Sequence, residues 1–163
     1  MSALENASVQ RVRAGLQAAG LDDRVMELAD TARSAEDAAR SVGTELGSIV
    51  KSLVFRVGEQ PVMALVAGDR KCREKALKQV LELPGKVRRA DADMVRAATG
   101  YAIGGVSPVA LPAELPVVID ASLERFATVY AAGGHPHCVF PASFAELVSL
   151  TDGVVAAEIA VEP

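Results

Sequence analysis

Four clusters of residues in this sequence have the types and spacing to do chemistry. Lys51 stands in Ser48-Ile-Val-Lys-Ser-Leu-Val-Phe55, an apolar run in which a charge is costly. Either its stem packs along a sheet while the ammonium reaches water, or it is held at the mouth of a pocket, donating to a phosphate or a carbonyl. Gly100-Tyr-Ala-Ile-Gly-Gly-Val-Ser-Pro108 places two glycines, Gly104 and Gly105, inside a strand-like run. They permit a bulge, or they let a ligand approach the backbone so that N–H groups hold a carbonyl oxygen or a developing oxyanion. No Lys-Ser/Thr follows them, which excludes a phosphate loop.

The third cluster is Ala132-Gly-Gly-His-Pro-His-Cys138, which holds both histidines and one of the two cysteines. A zinc site needs about four ligands, and no second Cys/His cluster completes one. His137 and Cys138 are neighbours that point to opposite faces of an extended segment, so they make a poor nucleophile–base pair. His135 beside a flexible glycine pair reads instead as a pocket-lining residue, with no metal and no cofactor expected. The fourth cluster is basic: residues 70–89 carry eight of the 17 lysines and arginines, offset only by Glu74 and Glu82. That run is either a solvated face or a surface for phosphate contact. Lys71, Lys75 and Lys78 fall at helical spacings of four and three, and Arg88 and Arg89 follow.

These clusters need a scaffold, and the hydrophobic pattern supplies one. Val9, Val12, Leu16 and Ala19 predict a helix over 3–19 that Gly20 stops. Residues 24–28 read as a short strand, and Ser34 caps a helix from Ala35 to Val42 ended by Gly43. Ile49–Val57 and Pro61–Ala67 read as a hairpin turning at Gly58-Glu59-Gln60. Asp69 is expected to cap a helix to about Leu81, and Asp91 another that ends at Gly100. Tyr101–Val106, Pro116–Asp120 and Thr128–Ala132 follow as strands. Ser143 and Glu146 form a capping box for a helix over Phe144–Leu150, and Gly153–Val161 closes the chain as a strand. Mingled strands and helices without a βαβ repeat predict an α+β domain on a mixed or largely antiparallel sheet.

Composition sets the outer limits. At 163 residues, with 50% hydrophobic and 23% charged side chains, the chain reads as one folded domain over residues 1–163 that needs no staple. There are 29 alanines against six aromatics and no tryptophan, which argues against a reader of single-stranded nucleic acid built on stacking platforms. A net charge of −4 leaves no general affinity for polyanions such as DNA. No apolar run approaches the ~20 residues that span a bilayer, and the N-terminus lacks the pattern of a signal peptide. With two unpaired cysteines, the expectation is a soluble cytoplasmic protein.

The ordered stretches Thr31–Ala39, Ile49–Phe55, Thr99–Pro108 and Val129–His135 resemble the YbaK/ProX family of aminoacyl-tRNA deacylases. That family also occurs as the editing insertion of bacterial prolyl-tRNA synthetases. The resemblance extends over nearly the whole chain and implies a freestanding, trans-acting member with a mixed, partly barrel-like β-sheet and flanking helices. It implies hydrolysis of the ester that joins a wrong amino acid to tRNA, typically the tRNA for proline, with misacylated tRNA and prolyl-tRNA synthetase as partners. By resemblance, Lys51 is the family's essential lysine, engaging the terminal adenosine region. Gly104, Gly105, Val106, Ser107 and Pro108 form the Gly-x-x-x-Pro loop whose amides hold the aminoacyl carbonyl. His135, after Gly133 and Gly134, helps set pocket size; the cysteine-specific subgroup carries a basic residue there instead, so His135 favours alanine or another small amino acid. An aminoacyl ester is already activated, so positioning water and stabilising the oxyanion suffice without a strong base. The competing reading is a non-catalytic module that binds an aminoacyl-tRNA or a synthetase.

Overall fold

The computed structural model describes residues 2–29 and 32–163. Its centre is a hairpin of β2 (Val50–Val57) and β3 (Gln60–Ala67), paired antiparallel over their whole length from Val50 opposite Ala67 to Val57 opposite Gln60. β6 (Val117–Asp120) adds to β3 in parallel, and β9 (Val154–Ala156) adds to β6 in parallel. On the other side, β5 (Val87–Arg89) pairs antiparallel with the far end of β2 and completes a five-stranded mixed sheet. A three-stranded antiparallel sheet, in the order β1 (Met26–Glu27), β8 (Cys138–Ala142), β7 (Val129–Ala132), abuts it through a parallel bridge between Ile49 and Tyr130. β4 (Lys71–Cys72) and β10 (Ala160–Val161) form a third, two-stranded piece. The fold class is α+β as expected, but the sheets abut rather than close into a barrel.

Alternation along the strands splits the interior into two cores. Met63, Leu65 and Ala67 face one way with Val50, Val54, Val117 and Ile119. Val62, Ala64 and Val66 face the other with Phe55, Val57 and Val118. Side chains on successive strand positions point to opposite faces, so a strand apolar throughout must be covered on both. Helices supply the covers. Val12 and Leu16 of α1 (Ala7–Ala18), Val95 of α4 (Ala92–Thr99) and Leu147 of α5 (Phe144–Thr151) pack on the first face. Ala76 and Leu77 of α3 (Lys75–Leu81) pack on the second. α2 (Ala35–Val42) is capped by Ser34, whose hydroxyl accepts from the Asp37 N–H at 3.1 Å. Both bonds of the Ser143/Glu146 capping box form, and the Glu146 carboxylate also takes the Arg24 guanidinium at 2.9 Å.

Several expectations are corrected. α1 starts at Ala7 behind Asn6, after a separate 3-10 turn at Ala3–Glu5. The strand expected over 24–28 is only Met26–Glu27. Asp69 caps nothing, because its carboxylate is taken by Arg125 at 2.8 and 3.0 Å; the chain runs on into β4, and α3 begins only at Lys75. Lys71 is therefore a strand residue and shares no helical stripe with Lys75 and Lys78. Tyr101–Val106 is a turn, because Gly104 takes a left-handed φ of 96° and the Gly105 N–H folds back to the Ala102 carbonyl at 3.0 Å. The final strand breaks into β9 and β10, while β5 and β8 appear where no strand was expected. β8 tolerates Pro141 because its outer neighbour β1 pairs only with Cys138 and Val139, leaving nothing to accept a proton at Pro141. Thr31, at the head of the first family-like stretch, lies outside the described residues.

Leu65 is wholly buried on the first face, whereas Val161 is 40% exposed at the end of β10. Leu65→Ala should lower unfolding stability by about 2–5 kcal/mol and Val161→Ala by under about 0.5 kcal/mol, measured by urea denaturation.

Candidate functional site

β5 stops at Arg89, opposite Phe55, and the bridge from β7 is to Ile49, the residue before β2. Between these two contacts the outer edge of β2, residues 50–53, has no strand beside it. A cavity of about 360 Å³ fills that gap. Its floor is the open edge of β2, and its walls are the start of α2, the turn at 103–106, Tyr130 and Ala132 of β7, and the turn into β8. Val50, Val54, Val95 and Val106, all buried, form an apolar interior. Arg33, Lys51 and Arg89 also line it, and among the described residues no carboxylate does. The cavity therefore suits a small ligand that carries negative charge or carbonyl oxygens.

The structure brings Lys51, Gly104, Val106 and His135 to this one cavity. Lys51 is half-buried, and its ammonium donates to the Arg70 carbonyl at 2.5 Å. An ammonium has three N–H donors, so two remain for a ligand. The Gly104 and Val106 N–H groups meet no acceptor among the described residues. The Gly105 N–H is already committed to Ala102, and its residue serves another purpose. A Cβ built on Gly105 would stand 3.0 Å from the His135 Cα and 3.1 Å from its N, so the absent side chain lets the two loops touch backbone to backbone. This close approach is between loops rather than with a ligand.

Ser107 and Pro108 are buried and do not line the cavity; Pro108 borders a second, larger space of about 810 Å³ beneath residues 108–117. Gly133 and Gly134 also stand outside the lining, in the turn between β7 and β8. The Gly133 N–H bonds the Cys138 carbonyl at 2.7 Å, and a Cβ on Gly134 would lie 2.8 Å from the Ser8 carbonyl of α1. His135 accepts the His137 N–H on Nδ1 at 3.0 Å, and the two rings meet edge-on at 5.3 Å. Cys138 lines the cavity, but burial pushes its thiol up to about 11, so it is protonated at neutral pH and a poor nucleophile. Among the described residues no group of three or more His, Cys, Asp or Glu gathers to hold a metal ion.

Lys71, Lys75, Lys78, Arg88 and Arg89 are all exposed, and none has a carboxylate within ion-pair distance among the described residues. Arg56 and Arg88 stand directly opposite each other on β2 and β5, a like-charge pair that raises the local positive potential. Arg89 belongs both to this run and to the cavity, with its guanidinium 5.3 Å over the Phe55 ring. Sequence reasoning missed Arg33, Tyr130 and Ile103 as lining residues. Only Ile103 carried a local signal, a large apolar side chain inside a glycine-flanked turn.

Residues 29–150 match the profile of the aminoacyl-tRNA editing domain. The chain belongs to that family. An uncharacterised Bacillus subtilis protein, YwhH, is 35% identical over 116 residues, covering 71% of this chain and 73% of its own. A proline–tRNA ligase of Desulfovibrio desulfuricans is 38% identical over 90 residues, which are 55% of this chain but only 15% of the ligase. A crystal structure described as a candidate trans-editing enzyme for prolyl tRNA synthetase superposes with a TM-score of 0.89 at 37% identity, over 97% of this chain and 99% of that one. The fold of that structure is thus shared over nearly the whole chain.

The close approach at Gly105 yields a measurable expectation. Gly105→Val forces the 102–105 turn away from His135 and should cost about 1–3 kcal/mol by overpacking, with Gly105→Ala intermediate. Urea unfolding midpoints for the two variants check it, and equal stability to wild type would mean that the loops do not meet there.

Proposed function

We propose that this chain hydrolyses the ester of misacylated tRNA, acting in trans on tRNA for proline that carries alanine or another small amino acid. The observation that supports this most is the convergence of Lys51, the open Gly104 and Val106 amides and His135 on one small, cationic cavity. In this reading the acceptor end enters at the mouth, where the Lys51 ammonium and Arg89 meet its phosphate or ribose oxygens. The aminoacyl carbonyl points at the Gly104 and Val106 N–H groups. Water adds to the carbonyl carbon, and the negative charge that develops on oxygen is taken by those amides. The C–O bond then breaks, the ribose hydroxyl leaves with a proton, and the free amino acid departs. Each well-placed oxyanion donor is worth ~10²–10³ in rate. The valine-lined interior and His135 limit the side chain that fits. Family membership and the similarity to a candidate trans-editing enzyme support the editing role; the amino acid, the tRNA and a complex with prolyl-tRNA synthetase are part of the proposal.

One observation favours the alternative of a binding module without turnover: among the described residues no carboxylate lines the cavity to act as base. A deacylation panel separates the two. Purified protein is offered tRNA for proline charged with alanine, cysteine, serine, 2-aminobutyrate or proline. Rapid release of alanine with proline spared is expected, and Lys51→Ala should abolish release while keeping the wild-type melting temperature. Saturable binding with no release of any amino acid would establish the module instead, and full activity in Lys51→Ala would make that lysine structural.

The basic run bears on affinity. Lys75→Glu/Lys78→Glu, or Arg88→Glu/Arg89→Glu, should raise KM several-fold, and the pair on α3 should leave kcat unchanged. For every phosphate that a variant no longer neutralises, the slope of log binding against log salt should fall by about 1. Titrating tRNA binding at two salt concentrations checks this; unchanged affinity and slope would reduce the run to a solvated face.

A further inference from the structure

Ile103 is 62% exposed, the most exposed large apolar side chain among the described residues. The others, Met26, Val154, Val155 and Val161, lie on β1, β9 and β10, whereas Ile103 stands at the rim of the cationic cavity. It is held there: the Gly105 N–H closes its turn onto Ala102, and Gly105 is seated against the His135 backbone. Pro136 continues the same apolar rim, its Cγ 3.7 Å from where a Cβ on Gly104 would stand. Resting on the deacylase reading, we infer that Ile103 is the contact for the terminal base of the acceptor end, outside the compartment that takes the aminoacyl group.

Three observations carry this assignment. The compartment already has its own apolar wall in Val50, Val54, Val95 and Val106, all buried, so an aminoacyl side chain has no need of a residue at the rim. A nucleoside joined to that aminoacyl group must lie at the rim, where Arg89 and Lys51 meet its phosphate oxygens and an uncharged face has to meet its base. Bases are usually received on aromatic rings, but Phe55, Phe140 and Tyr101 are buried, and Phe126, Phe144 and Tyr130 are partly so. The rings of Tyr130 and His135 line the cavity but are only half-exposed, and the exposed apolar surface at the mouth, among the described residues, is Ile103 with Pro136. An aliphatic contact holds the flat face of a base by excluding water and reads no hydrogen-bond pattern. Recognition of the base at this point is therefore tolerant.

The test uses two non-hydrolysable probes, 3′-alanylamino-3′-deoxyadenosine and the same amide on a ribose unit without a base. Wild type should bind the adenosine probe about fivefold or more tightly than the baseless one. Ile103→Ser should erase that preference, Ile103→Phe should keep or widen it, and neither should shift the melting temperature. With alanyl-tRNA, Ile103→Ser should raise KM about fivefold and hold kcat within twofold. Retention of the base preference in Ile103→Ser overturns the assignment, as does a change of amino-acid selectivity with that preference intact. If wild type deacylates and binds both probes equally, the Ile103 assignment alone fails; if it neither binds a probe nor releases any amino acid, the deacylase reading fails with it.

Discussion

The strand Val62–Ala67 has no face toward water, and the rest of the molecule follows from that constraint. Six consecutive residues are wholly buried, three on each side of the sheet. Water must be excluded from both faces, so helices are needed above and below, and β2 and β6 must occupy both edges to satisfy the backbone. β2 inherits the burden on its own outer edge. It is covered by β5 at one end and touched by β7 at the other, and the uncovered length between them is where the functional cavity forms. Site and core are thus two ends of one packing problem.

Charge is distributed to suit an anionic ligand despite an acidic whole. The chain carries −4 overall, yet among the described residues its cavity shows three cations and no carboxylate, and the exposed basic residues of α3 and β5 are left without ion-pair partners. The acids are spent elsewhere: Asp69 on Arg125, Glu146 on Arg24, Asp23 on Arg13, and Asp120 on the Ala67 and Ser122 N–H groups. Surface pairs of this kind add little stability. Their effect here is to keep negative charge away from the one place where it would repel a phosphate.

Elements whose signals are local were legible in the sequence. Ser34 and Ser143 announce their helices through hydroxyls that bond amides three residues on, and the β2–β3 hairpin turns at its glycine. β8, the hairpin neighbour of β7, carries Pro141, which weakens a strand pattern, and β5 was not legible because a strand of three residues is defined by a partner far along the chain. Asp69 misled for the same reason: a distant arginine takes the carboxylate that would otherwise cap α3. At the site, residue types alone singled out Lys51, the Gly104–Gly105 pair and His135, and resemblance tied them to one activity. What each glycine does was not legible. A glycine that admits a ligand and one that admits a neighbouring loop look alike until the loop at His135 is seen against Gly105.

β5 ends before it can seal the edge of β2: the Ala90 N–H still donates to the Val54 carbonyl, and the chain then turns into α4 at Asp91. The cavity is, in effect, a missing stretch of strand. Its depth is fixed by where a ladder stops rather than by the bulk of any single side chain. An insertion or deletion in the 84–91 connection would lengthen or shorten that ladder and resize the chamber in steps of one strand residue. Descent with variation in loop length therefore offers this fold a coarse adjustment of what it admits, and point substitution on the valine wall offers a fine one.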